Sequence, residues 1–585
     1  MATDHDLRAR SAYFKAVAID FDGTLAEGSP PSPGVLASIR SARELGLRLL
    51  LVTGRTLADL FQVFPDVHEH FDVTVAENGA ILGAAEGHRR LARPVDPELA
   101  KALLGRGISV HSGEVILAGE AVHDAAVFEE IRRLDLDYQL IRNRGALMVV
   151  PAGVTKASGL AAGLRELGLS AHSAIAIGDA ENDLAMLESC ELGVAVANSV
   201  PVVRQRADVV LDGADGRGVT TFLEGAIVQG KQVIHPDRWR IRLGLFDDGK
   251  PATLPSSQIN LLVTGASQSG KSYLAGLITE QLIRLGYSVL VIDPEGDHVQ
   301  LGELPDVLVV GSGSELPIPE RVADLLGVGL GTVVADLSSL SREEANRYLR
   351  DVAPLVERQR LQKGVPHWVV VDEAHGTLGV SGGVAQYLAP GATGYLLVTY
   401  QPGQLSGEAL GGVDAMISVA GGQQSGIGST AAAMANFAGA DPAVVMARME
   451  SAGPQRALLA SRGEEMRTLQ VGRRTTSHVR HWHKYATVEQ PAQTRFYFRR
   501  GPGEGIVAVA GNLQEFHREL SHCDAEVVMH HARRHDFSCW VQGVFRDSIL
   551  ATTIEAIEGE ASASGASSNS IRNELLTAIE ARYLE

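Results

Sequence analysis

Two aspartates, Asp20 and Asp22 in AVAIDFDGTL, stand at the carboxyl end of a short apolar run. Alternation along an extended strand sends both side chains to one side, and Gly23 lets the chain turn away behind them. One such carboxylate can attack an electrophile while the other gives or takes a proton. Paired carboxylates repel a phosphate dianion, so phosphoryl chemistry here needs a cation, and hard oxygen donors suit Mg²⁺. The groups that complete such a site follow in chain order. Thr53 and Gly54 close LRLLLVTG, the hydroxyl placed to hold a phosphate oxygen. Lys156, in PAGVTKASGL, supplies positive charge to the nucleophile and the phosphate. AIAIGDAENDLAML then offers Asp179 as a further Mg²⁺ ligand, Asn182 toward the substrate, and Asp183 in support of the metal.

A second constellation lies downstream. LLVTGASQSGKSYLAGLI carries Gly265, Gly270, Lys271 and Ser272 in the spacing GxxxxGKS, after an apolar run and before a helical one. In that context loop N–H groups and the helix N-terminus cradle phosphate oxygens, Lys271 reaches the β- and γ-phosphates, and Ser272 ligates Mg²⁺. WVVVDEAH supplies the partner. Asp372 is placed to hold the Mg²⁺ water shell and Glu373 to polarise an attacking water, which favours hydrolysis of ATP over transfer. Gln401, at the end of YLLVTYQ, is placed to sense the γ-phosphate.

Both constellations need strand tips to hold them. Short Val/Ile/Leu runs alternate with helical-period segments at 15–20, 47–53 and 173–179, and again at 258–265, 287–293, 331–336, 367–373 and 394–400. Such runs read as parallel sheets covered on both faces, so the fold class is multidomain α/β. The series breaks at 226–257, where DDGKP and LPSS mark turns, and the α/β rhythm stops near 475. The expected organisation is therefore a phosphatase domain at 1–225, a linker and β lead-in at 226–257, a P-loop ATPase at 258–475, an α+β accessory domain at 476–556, and a linker with terminal helix at 557–585.

With four motifs in order, and GVAVANSVPVVRQRADVV after them, residues 14–225 resemble the Cof-type branch of the haloacid dehalogenase (HAD) superfamily of phosphatases. The resemblance implies a Rossmann-like core with an inserted α/β cap at about 82–150. It implies that Asp20 attacks phosphorus to form an aspartyl-phosphate, and that Asp22 protonates the leaving oxygen and then activates water. It further implies that Mg²⁺ sits on Asp20, the backbone carbonyl of Asp22, and Asp179. A cap of roughly 70 residues excludes water and suits a small phosphorylated metabolite, sugar phosphate or phosphoglycolate-like. Residues 236–475 are similar to the HerA/FtsK group of P-loop ATPases, through the Walker motifs, VIDPEGDH and the lead-in RLGLFDDGKPATLPSSQ. That group works as hexameric rings pumping DNA or another polymer, which implies a homo-oligomer and leaves nucleic-acid binding open. The alternative reading is a nucleic-acid processing or translocating ATPase with an end-phosphatase; the cap and the DEAH glutamate weigh against end processing. Arg462, Arg473 and Arg474 are arginine-finger candidates for which an ordinary solvated role is the stronger expectation.

The 585 residues are 45% hydrophobic and 21% charged, which excludes wholesale disorder, and carry a net charge of −18, which disfavours general binding to nucleic acid or anionic membrane. Three cysteines, no signal-like segment and no long apolar run point to a cytoplasmic protein without a membrane span. Residues 467–500 hold eight Lys or Arg against one acid, interleaved with Trp482, Tyr485, Phe496, Tyr497 and Phe498. That mixture suits single-stranded nucleic acid, but a half-buried strand facing an acidic neighbour is the favoured reading. The histidines of 478–535 lack partners at zinc spacing, so no metal site is expected there.

Overall fold

The computed structural model describes residues 13–583 apart from 27–28, 85–86, 144, 267–268, 313–315, 328–330, 379–390, 422–426, 454, 477–489, 491, 502–504, 546 and 562–566. Two compact units divide the chain, residues 1–294 with 298–477, and residues 478–585 with 295–297.

The first unit holds both expected α/β sheets. The N-terminal one has eight strands, and its parallel core runs Val209–Val210, Leu192–Ala195, Ala174–Gly178, Ala16–Asp20, Arg48–Val52 and Val73–Ala76. Ala16–Asp20 and Ala174–Gly178 are buried at every position because helices cover both faces. Ile81–Ala84 and Gly87–Arg90 extend the same sheet antiparallel. The inserted module is therefore narrower than the 82–150 expected. It is a four-stranded antiparallel sheet (His111–Ser112, Leu117–Glu120, Ala146–Pro151, Tyr138–Asn143) with helices Pro97–Gly105 and Asp124–Arg133. Leu99, Leu103, Val127, Ile131, Leu147 and Val149 give it a core of its own.

The second sheet has eleven strands. Seven run parallel in the order Ala415–Val419, Leu261–Gly265, Tyr395–Thr399, Trp368–Val371, Val289–Asp293, Thr332–Asp336, Val307–Val310. Arg456–Ser461 and Arg467–Val471 continue it antiparallel, followed by the hairpin Arg240–Phe246 and Pro251–Pro255. The lead-in thus forms one edge of the eleven-stranded sheet.

The two sheets meet at the amino ends of their strands. Glu191, fully buried, precedes Leu192–Ala195 and accepts hydrogen bonds from Tyr287 Oη at 2.8 Å and from Ser257 Oγ. His172, just before Ala174–Gly178, bridges Glu191 Oε2 and the Leu285 carbonyl at 2.8 Å each and stacks on Tyr287 with ring centroids 3.8 Å apart. Ser288 N–H donates to His367 Nδ1 at 2.8 Å at the starts of two strands of the eleven-stranded sheet.

In the second unit, a hairpin of Phe496–Arg499 and Ile506–Ala510 packs with five helices. Phe496 and Phe498 are buried among Phe516, Phe537 and Trp540, so these aromatics are core. The terminal helix, Ser568–Tyr583, contributes Ile571, Leu575 and Ile579 to the same core. Trp482 and Tyr485 lie outside the described residues. His531 bonds Asp536 and the Arg499 N–H.

Candidate functional site

At the first site three strand tips converge. Lys156 opens the helix Lys156–Glu166, whose start is fixed by a Thr155–Ser158 capping box, and its side chain points back into the core. The ammonium, 1% exposed, lies 2.5 Å from Asp20 Oδ1 and 2.6 Å from Asp183 Oδ1. Asp183 Oδ2 accepts the N–H groups of Asp179 and Ala180 at 2.9 and 3.0 Å, and Thr24 Oγ1 donates to Asp179 Oδ1 at 3.1 Å. Oxygens of Asp20, Asp179 and Asp183, all buried, lie within 4.8 Å of one another. Burial, then the Asp183 carboxylate, holds Asp20 well above the ordinary carboxylate range despite Lys156, and Asp179 adds to this. Burial would lower Lys156, but Asp183 and Asp20 outweigh it and keep the ammonium charged. One cation facing three carboxylates leaves a net negative, oxygen-only pocket. That donor set fits Mg²⁺, with Asp20 and Asp179 as ligands and Asp183 occupied in orienting its neighbours.

Around this centre, Thr53 Oγ1 accepts the Arg55 N–H at 3.1 Å, and the Thr53 carbonyl accepts the Asn78 N–H at 3.0 Å. Asn182 Nδ2 donates to Asn78 Oδ1 at 3.1 Å. The Gly23 carbonyl accepts Asn198 Nδ2 at 2.7 Å. A side chain on Gly54 would meet Met148 Sδ of the inserted module at 3.3 Å.

Two residues here escaped the sequence reading. Arg55 forks onto Asp22, Nε to Oδ2 at 2.7 Å and Nη2 to Oδ1 at 2.6 Å. Glu77, fully buried with φ +51°, accepts the N–H groups of Glu114, Val115 and Ile116 at 2.8, 2.8 and 3.1 Å. It thereby ties the inserted module to the core. Between that module and Glu181–Asn182 lies a cavity of ≈ 920 Å³, lined also by Phe128, Tyr138, Ile141 and Arg142.

At the second site, Gly270 (φ +104°) caps the helix Lys271–Arg284, a conformation that favours glycine and lets the loop enter the helix. Lys271 Nζ, largely buried, donates to the Ala266 carbonyl at 3.0 Å, closing the loop onto itself, and a side chain on Gly265 would strike Ser269 Oγ at 2.5 Å. Ser272 is in the first turn. Asp372 follows Trp368–Val371, its Oδ1 accepting the Glu373 N–H at 2.8 Å. Its Oδ2 lies 3.0 Å from His298 Nε2, and the His298 N–H donates to Asp293 Oδ2 at 2.8 Å. Burial would raise Asp372, but His298, the Glu373 N–H and Lys271 bring it below its usual value. Asp293, His298 and Asp372 offer donor atoms within 4.8 Å of one another. Glu373 sits at φ +47°, and Gln401 N–H donates to Thr399 Oγ1 at 3.0 Å.

Of the arginine-finger candidates, Arg462 donates to the Val413 and Gly411 carbonyls at 2.6 and 2.7 Å, and Arg474 to Thr476 Oγ1 at 3.0 Å. Both are held by their own chain. His298 and His375 were not singled out from sequence; the spelling VIDPEGDH marked the region of the first without its role.

The family described as haloacid dehalogenase-like hydrolase matches residues 17–118 and 114–223, and the HerA helicase central domain matches residues 260–363. A phosphoglycolate phosphatase of Methanothermobacter thermautotrophicus is 31% identical over 215 residues, 35% of this chain and 95% of that protein. That of Methanothrix thermoacetophila is 30% identical over 224 residues, 36% of this chain and 96% of the relative. Among solved structures, a haloacid dehalogenase-like hydrolase from Bacteroides thetaiotaomicron covers 36% of this chain and 98% of its own at 22% identity, with a TM-score of 0.32. No helix among the described residues is long and apolar enough to cross a membrane. The chain thus belongs, through its N-terminal domain, to the haloacid dehalogenase-like hydrolases of the Cof type, and carries downstream a domain similar to the HerA helicase central domain.

Proposed function

We propose that the N-terminal domain is a Mg²⁺-dependent phosphatase of a small phosphomonoester, sugar phosphate or phosphoglycolate-like. The observation that carries this reading is the buried Lys156 ammonium shared by Asp20 and Asp183 beside Asp179. An Asp20 oxygen attacks phosphorus, the bond to the leaving oxygen breaks, and a proton on Asp22 passes to that oxygen. Water then attacks the aspartyl-phosphate, gives its proton to Asp22, and inorganic phosphate leaves. Asp22 accepts both arms of Arg55, which fixes the position of its carboxylate at the strand end. Thr53 and Lys156 hold phosphate oxygens. Asp20, the Asp22 carbonyl and Asp179 would hold Mg²⁺, which would neutralise charge on the phosphoryl group. The ≈ 920 Å³ cavity between the inserted module and Glu181–Asn182 is where the leaving group would sit.

The downstream domain we read as an ATPase. Gly265, Gly270, Lys271 and Ser272 bind the phosphates, Asp372 the Mg²⁺ water shell; Glu373 takes the proton of the attacking water, and Gln401 contacts the γ-phosphate. A homo-oligomer, six-membered as in HerA-type rings, belongs to the same proposal. Phosphate release from a panel of phosphomonoesters with Mg²⁺ tests the first part. Turnover of small esters that Asp20→Asn abolishes is expected. Cleavage confined to a 3′-phosphorylated oligonucleotide would instead support the end-processing alternative. Native mass tests the assembly, where a monomer counts against the ring.

A further inference from the structure

Glu373 is placed to activate water, yet its neighbour in space is a histidine from its own motif. Its Oε2 lies 3.3 Å from His375 Nδ1, both side chains being less than one-fifth exposed. The same Nδ1 lies 3.1 Å from Thr399 Oγ1, at the tip of the next strand. Thr399 Oγ1 also takes the N–H of Gln401 at 3.0 Å. The intervening Tyr400 sets its ring against that of His375, centroids 4.7 Å apart at 78°, and holds the imidazole in place. Lys271 Nζ stands 5.8 Å from the centre of the same Tyr400 ring. One imidazole therefore touches the glutamate, the strand that carries Gln401, and the ring facing the P-loop lysine.

We infer that His375 is a positioning residue that couples occupation of the γ-phosphate site, read by Gln401 and Lys271, to the orientation of Glu373. Nδ1 lies against both a carboxylate and a hydroxyl oxygen, and a proton on it would aim the glutamate. When a γ-phosphate arrives, Lys271 exchanges the Ala266 carbonyl for phosphate and Gln401 turns toward it. Both movements act on the Thr399–Gln401 tip, and His375 passes them to Glu373 through Thr399. A histidine serving only the packing of its short helix would have no reason to bridge two strand tips.

This inference rests on the ATPase reading, and the experiment separates the two. Using the full chain with Mg²⁺, binding of a fluorescent ATP and steady-state hydrolysis are measured for wild type, Lys271→Ala, His375→Ala, His375→Asn, Thr399→Val and the His375→Ala/Thr399→Val double variant. Wild-type turnover with binding lost in Lys271→Ala upholds the reading. His375→Ala then lowers kcat by about tenfold or more while nucleotide Kd stays within about twofold. His375→Asn, whose amide N–H replaces Nδ1–H, recovers most of the rate, and the double variant is no slower than His375→Ala alone. The inference is overturned if kcat of His375→Ala is unchanged, if Kd weakens in proportion to the rate, or if asparagine is as poor as alanine. A wild type that neither binds nor hydrolyses ATP removes the reading and the inference together, an outcome distinct from turnover indifferent to His375.

Discussion

Glu77 offers the sharpest test of how the inserted module is held over the phosphatase centre. Its carboxylate receives three backbone N–H groups from 114–116 in a fully buried setting. Glu77→Gln keeps the size but leaves one oxygen. The amide oxygen serves Val115 and Ile116, and the NH₂ then faces the Glu114 N–H, donor against donor. Leaving one buried donor unsatisfied costs about 1–3 kcal/mol, and replacing charged by neutral acceptance at the other two costs about 1 kcal/mol more. The total of about 2–4 kcal/mol corresponds to a local opening about 30- to 1,000-fold more frequent. Hydrogen exchange reads this directly. The amides of 114–116 exchange faster by that factor, while those of Ala16–Asp20 keep their wild-type protection. Substrate KM is expected to rise, because the module walls the cavity proposed for the leaving group. Wild-type exchange at 114–116 in a folded Glu77→Gln protein would refute the latch.

Three further perturbations probe other parts of the first unit. Lys156→Met strands Asp20, Asp179 and Asp183 without their buried cation and lowers stability by about 3–5 kcal/mol in urea unfolding, part of it restored by saturating Mg²⁺; a loss under 1 kcal/mol would contradict the charge argument. Glu191→Ala leaves Tyr287, Ser257 and His172 unmatched inside the joint and costs about 3–5 kcal/mol, splitting one calorimetric transition into two; a single unshifted transition would show the joint to be inert. His367 is held well below its ordinary value by burial, then by His172 and Arg360, so it folds neutral. Its contribution is complete above the unfolded value of about 6.5 and is lost as pH falls through the depressed folded value, so Tm declines on acidification below about pH 6.5. His367→Gln flattens that slope, and an equally steep decline in the variant would place the titration elsewhere.

The strand-tip aspartates and the GxxxxGKS turn could be placed from the chain because each motif is local: a buried run delivers its tip residues whatever the rest of the fold does. Asp20, Thr53, Asp179, Lys271 and Asp372 all sit where a strand ends or a helix begins. The residues that escaped depend on partners from other elements. Arg55 reaches Asp22, Glu77 reaches 114–116, and His298 reaches Asp372, each across a separation that spacing does not encode. The lone signal for Glu77 is a buried acid in an apolar neighbourhood, AENGAIL, which period alone does not distinguish from a turn. Phe496 and Phe498 show the reverse case. Their basic neighbours resemble a nucleic-acid platform, yet the alternate positions point into an aromatic core.

Because the joint is built from strand beginnings, both sets of reactive tips aim outward from it. Ala16–Asp20 and Val289–Asp293 each run about 16 Å from the end nearer the joint to the tip that carries the aspartate. Any signal between the two sites would pass through the buried hydrogen bonds of Glu191 with Tyr287 and His172, which makes that joint the place where one domain could sense strain in the other.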